Sequence, residues 1–212
     1  MGATSGLRHI ATYYLPLTTH QQMKIGLFFG SFNPVHNGHM VIAGYMSEFT
    51  DLDQVWFVVS PHNPLKLKST LLQDYHRLSM VKIAIGDNRK LKASDIEFKL
   101  PKPSYTINTL AYLFEKFPEH KFALILGSDN IDTFHKWKNY EQILEQTELY
   151  VYPRKDASEN ELMKHPKVKL ITAPMMEISS SFIRDAIKAK KNVQYMVPEK
   201  VWDFLEEMNF YK

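Results

Sequence analysis

Short apolar runs alternate with segments whose apolar residues recur at helical spacing along nearly the whole chain. Three runs are rich in β-branched or aromatic residues and stop at glycine or just before proline, as buried parallel strands do. They cover residues 24–30, 53–60 and 121–127. The pattern predicts further short strands at residues 91–93, 96–100, 148–153 and 168–173.

Helical periodicity fills the intervals between these strands. The predicted helices cover residues 39–49, 71–85, 104–117, 139–147, 158–165, 179–188 and 198–208. Strands and helices that alternate with short links favour the α/β class, with a doubly wound parallel sheet covered by helices on both faces. Ligands of such sheets bind beyond the carboxyl ends of the strands. The first candidates are therefore the residues that follow Gly30, Ser60, Gly127, Pro153 and Pro174.

The chain has 212 residues, and residues 23–212 are consistent with a single domain that ends in helices. Residues 1–22 carry no comparable pattern, and Pro16 interrupts their one apolar patch, which makes it a poor signal-peptide core. We expect these residues to be a loosely ordered extension or the result of a misassigned start, with Met23 as the alternative start.

Composition narrows the class of function. Lys plus Arg number 26 and Asp plus Glu 23, so the net charge of +3 is too small to indicate a nucleic-acid partner. No apolar stretch reaches the roughly 18 residues of a membrane helix, so we expect no membrane partner. The chain has no cysteine, which excludes disulfides and thiolate zinc sites and is consistent with a cytoplasmic location. No carboxylate cluster suggests a dedicated metal site.

A glycine-rich segment follows the first strand and enters a helix: Gly30-Ser31-Phe32-Asn33-Pro34-Val35-His36-Asn37-Gly38-His39. Gly30 would let the backbone approach a ligand closely, and Asn37 could cap the helix. Gly38 would leave room at the helix N-terminus, where free N–H groups and the dipole favour an anion. We therefore expect an anion site at this helix start.

Two histidines of the same segment, His36 and His39, are three residues apart. On a helical turn this spacing puts both imidazoles on one face. A pair of imidazoles beside a helix N-terminus can cradle a polyphosphate. A metal pair is the competing interpretation, but no third ligand is near in sequence.

A second polar segment, Ile178-Ser179-Ser180-Ser181-Phe182-Ile183-Arg184, opens a helix near the end of the chain. Ser179 or Ser180 can cap this helix. Together with Ser181 and Arg184, the hydroxyls and free N–H groups offer donors to one anion. The sequence thus predicts two anion-binding elements far apart along the chain.

These two segments resemble the motifs of the H-x-G-H nucleotidyltransferase superfamily, His36-Asn37-Gly38-His39 being the first. The second is similar to I-S-S-T-x-I-R, with Ser181 in place of the usual threonine. The resemblance implies a Rossmann-like nucleotidyltransferase fold and catalytic roles for His36, His39 and Arg184 at the phosphates of ATP. It implies Mg²⁺ delivered with ATP, and ATP contacts from Gly30, Ser31, Phe32, Gly38, Gly127, Asp129, Ile178, Ser179, Ser180 and Ser181.

The middle of the chain adds Ser60-Pro61-His62-Asn63-Pro64, Pro103-Ser104-Tyr105-Thr106, Gly127-Ser128-Asp129, Trp137 and Pro153-Arg154. In this order they resemble bacterial nicotinate-nucleotide adenylyltransferases over about residues 24–210. The resemblance implies ATP and nicotinate mononucleotide as substrates. Tyr105 and Thr106 would lie at the pyridine ring and its carboxylate, and Trp137 would stack on the ring. Other mononucleotide contacts would come from Asn33, Lys66 and Arg154.

The implied reaction fits these residue types. The attacking phosphate monoester has a second pKa of about 6 and is largely dianionic at neutral pH, so no general base is required. Positioning and electrostatic stabilisation must carry the catalysis. The sequence leaves three alternatives open. They are a preference for nicotinamide mononucleotide (NMN), a role as a non-catalytic nucleotide sensor, and assembly into a homo-oligomer.

Overall fold

The computed structural model describes residues 21–61, 71–154 and 160–212. Six strands form one sheet in which every neighbouring pair is parallel. They are β1 (Lys24–Gly30), β2 (Gln54–Val59), β3 (Leu91–Ser94), β4 (Lys121–Gly127), β5 (Glu148–Tyr152) and β6 (Val168–Leu170). The order is β3-β2-β1-β4-β5-β6, so the chain leaves β1 in one direction and resumes on its other side at β4. The switch point between β1 and β4 is where such sheets bind ligands.

Seven helices surround the sheet within the described ranges. They are α1 (Asn37–Phe49), α2 (Asp74–Ile85), α3 (Thr106–Lys116), α4 (Ser128–Ile131), α5 (Tyr140–Gln146), α6 (Ser180–Lys188) and α7 (Glu199–Glu207). Short 3-10 helices cover Ile96–Lys99, Phe134–Lys136, Glu161–Lys164 and Gln194–Met196. The described residues include no helix long and apolar enough to cross a membrane.

Alternate strand residues supply two separate cores, as the twofold period of a strand requires. Phe28 and Phe57 face one core together with buried residues of α1, α2, α6 and α7. Leu27 and Leu124 face the other, with buried residues of α3 and α5. The sheet is therefore covered on both faces, as the sequence predicted.

One predicted strand is wrong. Residues 96–100 contain a 3-10 helix, Ile96–Lys99, in place of a strand. Ile96 and Glu97 are both buried although they are adjacent, which a strand with one buried face does not allow. A helix was predicted at residues 158–165, of which the structure describes residues 160–165. These contain only the 3-10 turn Glu161–Lys164. The last predicted strand is only three residues long.

Candidate active site

The loop that leaves β1 is shaped by Phe32, whose φ of 46° lies in the left-handed region. Its ring is buried and packs edge-on against Phe57 and His39, with centroid separations of 5.3 and 5.1 Å. A Cβ at Gly30 would lie 2.8 Å from this ring. The space in the Cβ direction of Gly30 is therefore occupied by Phe32, and a backbone contact of Gly30 with ATP stays a prediction.

His36 is the N-cap of α1, so the prediction that Asn37 caps this helix is wrong. The backbone N–H of His36 donates to His39 Nδ1 at 3.2 Å, as a capping box does. Asn37 instead donates through Nδ2 to the backbone oxygen of Tyr195 at 2.8 Å. Because Nδ1 of His39 accepts this bond, a neutral His39 carries its proton on Nε2.

The two imidazoles stack, with ring centroids 3.6 Å apart and planes at 26°. The prediction that i, i+3 spacing brings them onto one face is confirmed. Gly38 makes room for this pair, since a Cβ there would lie 3.1 Å from His36 Nδ1. Burial, and then the positive charge of Arg154, lower the pKa of His36 to about 4. His36 is therefore neutral at neutral pH.

The second motif meets the first although about 150 residues separate them in sequence. Ser180 Oγ donates to the backbone oxygen of Pro34 at 2.9 Å. Arg184 Nη1 donates to the backbone oxygen of Asn33 at 2.8 Å, and its Nη2 donates to Ser181 Oγ at 3.1 Å. The structure thus brings the helix starts of α1 and α6 to one place at the carboxyl end of β1.

The cap of α6 is Ser179, whose side chain accepts from the backbone N–H of Phe182 at 3.1 Å. Of the two predicted capping residues, Ser179 is the correct one. The hydroxyls of Ser180 and Ser181 are engaged with Pro34 and Arg184. The backbone N–H groups of Ser180 and Ser181, in the first turn of α6, have no acceptor within the helix and can donate to an anion. Ile178 precedes the cap and packs against the core on the α6 side.

Residues after β4 and β5 form a second wall of the site. The backbone N–H of Arg154 donates to Ser128 Oγ at 2.7 Å, and Arg154 Nε lies 3.7 Å from Asp129 Oδ1. Asp129 lies in the first turn of α4, directly after Gly127. Both members of the ion pair are about half exposed, so its contribution to stability is small. Arg154 nevertheless acts on the pKa of His36.

Three of the residues predicted to contact the mononucleotide lie in two segments, the start of α3 and the end of a 3-10 helix. Tyr105 is the N-cap of α3 and is 37% exposed, and Thr106 is the first helical residue. Trp137 packs against the buried Phe134, with ring centroids 5.2 Å apart, and follows the 3-10 helix Phe134–Lys136. Lys138 Nζ lies 4.7 Å from the centre of the Tyr105 ring, which joins these two segments. Lys66 lies outside the described residues, as do His62 and Asn63.

Asn33 connects the loop after β1 to two other parts of the chain. Its side chain is buried, and its Oδ1 accepts from the backbone N–H of Leu72 at 3.2 Å and from the hydroxyl of Tyr211 at 2.7 Å. Burial raises the pKa of Tyr211 above its usual range, so this phenol stays a donor. Asn33 thereby links the first motif to the residues just before α2 and to the end of the chain.

Sequence reasoning assigned no role to Arg77, which is fully buried. Its Nη1 donates to the backbone oxygens of Ser31 at 2.6 Å and Ser60 at 2.8 Å, and its Nη2 donates to Asp74 Oδ1 at 2.6 Å. Nε donates to the backbone oxygen of Leu72 at 3.0 Å. Arg77 therefore fixes the loops after β1 and β2 to each other. The signal in the sequence is its place on the apolar face of α2, three residues before Met80.

Glu97 was also overlooked. It is buried, and its Oε1 accepts from Thr109 Oγ1 of α3 at 2.8 Å. Burial raises its pKa, and hydrogen bonds from Ser60 and Thr109 oppose that effect. Glu97 thus ties the start of α3, where Tyr105 and Thr106 stand, to the end of β2. Its position in a segment predicted as a strand concealed this role.

Within the described parts of the chain, no group of three or more His, Cys, Asp or Glu side chains could hold a metal ion. The side chains that converge at the carboxyl end of β1 are imidazole, hydroxyl and guanidinium groups. These are donors, and they suit anionic oxygens.

The fold has counterparts among solved structures. Plasmodium falciparum nicotinic acid mononucleotide adenylyltransferase complexed with NaAD superposes with a TM-score of 0.76 at 23% identity, covering 90% of this chain and 98% of that chain. At this identity the likeness shows the Rossmann-like fold alone. A family model described as cytidylyltransferase-like matches residues 27–186, which include both motifs.

Two relatives found by sequence have a higher identity to this chain than that structure has. A Flavobacterium johnsoniae protein named probable nicotinate-nucleotide adenylyltransferase is 60% identical over 192 residues, which are 90% of this chain and 100% of that protein. A Flavobacterium psychrophilum protein of the same name is 58% identical with the same coverage. The chain therefore belongs to the cytidylyltransferase-like family and, within it, to the nicotinate-nucleotide adenylyltransferases.

Proposed function

We propose that the protein transfers the AMP moiety of ATP to nicotinate mononucleotide, which gives deamido-NAD and pyrophosphate. The observation that carries this proposal is the junction of the two motifs. The stacked pair of His36 and His39 at the start of α1 is held beside Arg184 and the start of α6 by bonds to Asn33 and Pro34. The names of the relatives support the choice of substrate.

In this reaction a phosphate oxygen of the mononucleotide attacks the α-phosphorus of ATP. A new P–O bond forms as the bond from the α-phosphorus to the bridging oxygen breaks, and pyrophosphate leaves with that electron pair. Two anions must approach each other in line, so the protein has to offset their repulsion and the charge that develops on the leaving group. Donors that are fixed before the reaction do this without reorganisation.

Each donor has a distinct part in this proposal. His39, with its proton on Nε2, donates to an oxygen of the reacting phosphates. His36, neutral because of burial and Arg154, supports the ring of His39 and adds a donor without a second positive charge. Arg184 supplies the fixed positive charge, since a guanidinium stays protonated. The free N–H groups of α1 and α6 complete the phosphate site.

Mg²⁺ would enter with ATP. It binds hard oxygen ligands and keeps several waters, so phosphate oxygens and water can hold most of its coordination shell. The donor set at the two motifs fits the phosphates of a Mg–ATP complex. When bound, the ion would neutralise charge on the β- and γ-phosphates.

The mononucleotide would lie toward α3 and α4. Trp137 and Tyr105 supply aromatic surfaces for a pyridine ring, and stacking of this kind contributes on the order of 1–3 kcal/mol. The start of α3 supplies the N–H groups and the Thr106 hydroxyl. A cytoplasmic location is consistent with the absence of cysteine from the chain.

The test is pyrophosphate release from Mg–ATP with nicotinate mononucleotide or NMN as acceptor. We expect a much higher kcat/KM with the nicotinate form. A preference for NMN would keep the chemistry and overturn the choice of substrate. ATP binding without pyrophosphate release from any mononucleotide would favour a nucleotide sensor.

A further inference from the structure

Tyr211 contacts the loop after β1 from the far end of the sequence. α7 ends at Glu207, and both Asn209 and Tyr211 adopt the left-handed region, with φ of 51° and 67°. The backbone N–H of Phe210 donates to the backbone oxygen of Leu205 at 3.1 Å, which turns the chain back on the helix. A left-handed conformation is unfavourable for a residue with a Cβ, so contacts of Tyr211 with the rest of the molecule must hold it there.

The side chain of Tyr211 is fixed by packing and by a hydrogen bond. Its ring packs against the core that α6 and α7 cover, beside Phe210, with ring centroids 6.2 Å apart. Its hydroxyl donates to Asn33 Oδ1 at 2.7 Å. Asn33 is only 2% exposed and lies inside the loop of the first motif. The phenol therefore donates to a buried acceptor of this loop.

Asn33 connects the phenol to Arg184. Its backbone oxygen accepts from Arg184 Nη1 at 2.8 Å, and its Oδ1 accepts from the backbone N–H of Leu72 as well as from Tyr211. Burial raises the pKa of Tyr211, and the positive charges of Arg184 and Arg77 oppose this effect, so both guanidinium groups lie near the phenol. A displacement of Asn33 would move the oxygen to which Arg184 is bound.

We propose that Tyr211 is a positioning residue for the reaction, which holds Asn33 and, through the backbone oxygen of Asn33, the guanidinium group of Arg184 at the phosphate site. This inference rests on the proposed function. The long side chain of Arg184 is held at Nη1 by Asn33 and at Nη2 by Ser181. A donor stabilises developing charge best when it is fixed before the reaction, and a small misplacement lowers the rate strongly.

The experiment compares Tyr211→Phe, which keeps the ring and removes the hydroxyl, with Tyr75→Phe. Tyr75 of α2 is the matched control because it is more than half exposed. We expect Tyr211→Phe to lower kcat about tenfold and to weaken binding of Mg–ATP about threefold, as the loss of one hydrogen bond would. The KM for nicotinate mononucleotide should stay within about twofold, and Tyr75→Phe should change none of these values.

A double-mutant cycle separates positioning from a general effect on stability. In an Arg184→Gln protein the guanidinium group is already absent, so adding Tyr211→Phe should change kcat by less than about twofold. Urea titrations confirm that each variant is folded under the assay conditions.

A kcat within twofold of the wild type in Tyr211→Phe, or an equal tenfold fall in the Arg184→Gln background, would overturn the role of Tyr211 and leave the proposed function intact. If the wild-type protein releases no pyrophosphate with either mononucleotide, the proposed function fails. Calorimetric binding of Mg–ATP without an acceptor then decides separately on Tyr211: an unchanged affinity in Tyr211→Phe contradicts its role.

Discussion

At the scale of single residues, the spacing of His36 and His39 predicted that their rings meet, although His36 is the extended N-cap of α1 and its N–H bond to His39 helps to hold the pair. The cap of the helix was mispredicted. Asn37 has a stronger capping tendency than histidine, but His36 takes the cap position, where its N–H is satisfied by His39. The role of Gly38 was only partly predictable, because it depends on the packing of a neighbouring ring.

His39→Ala tests the proposed phosphate donor. Loss of one donor fixed at a developing charge lowers kcat by about a hundredfold or more, while the urea midpoint of unfolding changes little. The control is His165→Ala, which removes an imidazole three residues before β6, at the opposite end of the sheet. Near-normal kcat in His39→Ala would refute the role of this residue.

The low pKa of His36 predicts a pH-dependent stability. The folded pKa of about 4 lies below the ordinary value of 6.5, so the unfolded state binds the proton more readily. This contribution to the free energy of unfolding is fully present above pH 6.5 and is lost as the pH falls toward 4, by on the order of 3 kcal/mol. His36→Gln lacks it. Urea titrations of both proteins between pH 7.5 and 4.5 should show the wild type losing stability more steeply, and parallel slopes would contradict the burial of a neutral imidazole.

At the scale of elements, most helices and strands followed from periodicity, whereas their contacts did not. Ser180 and Pro34 are 146 residues apart, and no local pattern links them. The family resemblance assigned both motifs to ATP, but the bonds that join them come only from the fold. Residues 96–100 were mispredicted because apolar Ile96 and Phe98 mimic strand alternation, while Glu97 turns inward to Thr109.

Arg77 holds the loops after β1 and β2 together through hydrogen bonds to the backbone oxygens of Ser31 and Ser60. Arg77→Met would leave the carbonyls of Ser31, Ser60 and Leu72 without this donor, so we expect a loss of about 3 kcal/mol in the free energy of unfolding. Arg77→Lys should restore only part of it, because an ammonium group cannot reach the same set of acceptors. The exposed Arg89→Met, with a change below about 0.5 kcal/mol, is the control. Equal urea midpoints for Arg77→Met and Arg89→Met would contradict this account.

At the scale of the whole molecule, the parallel sheet that the sequence predicted is confirmed. The two motifs meet at the carboxyl end of β1, where the sequence placed the site, and the ligand contacts of their residues stay predictions. The strand order could not be read from the chain. Alternating strands and helices are compatible with several orders, and only the structure shows that the switch point lies between β1 and β4.

The amino ends of the strands carry a different set of charges. Lys24 Nζ lies 2.8 Å from Asp51 Oδ2, and Lys169 Nζ lies 3.2 Å from the same oxygen and 3.3 Å from Glu148. Burial opposes ionisation of Asp51, but hydrogen bonds from Lys24, Tyr150 and Lys169 lower its pKa below the usual range. These groups are paired with one another and lie at the opposite end from the candidate site.

Asp51→Asn tests whether the amino ends of the strands take part in the reaction. More than half of the Asp51 side chain is exposed, so solvent screens its ion pairs and the stability should fall by only about 1 kcal/mol or less. We expect kcat and both KM values to stay within about twofold of the wild type. A large loss of kcat in a folded Asp51→Asn protein would show that the amino end of the sheet takes part in the reaction.

The most direct test of the central claim follows the α-phosphorus of ATP. ATP labelled with ³²P at this position is mixed with Mg²⁺, nicotinate mononucleotide and the protein, and the products are separated after partial turnover. We predict that the label passes into the dinucleotide, while the pyrophosphate carries none and the protein stays unlabelled. Label in free AMP, or bound to the protein with no dinucleotide formed, would contradict direct attack of the mononucleotide on ATP.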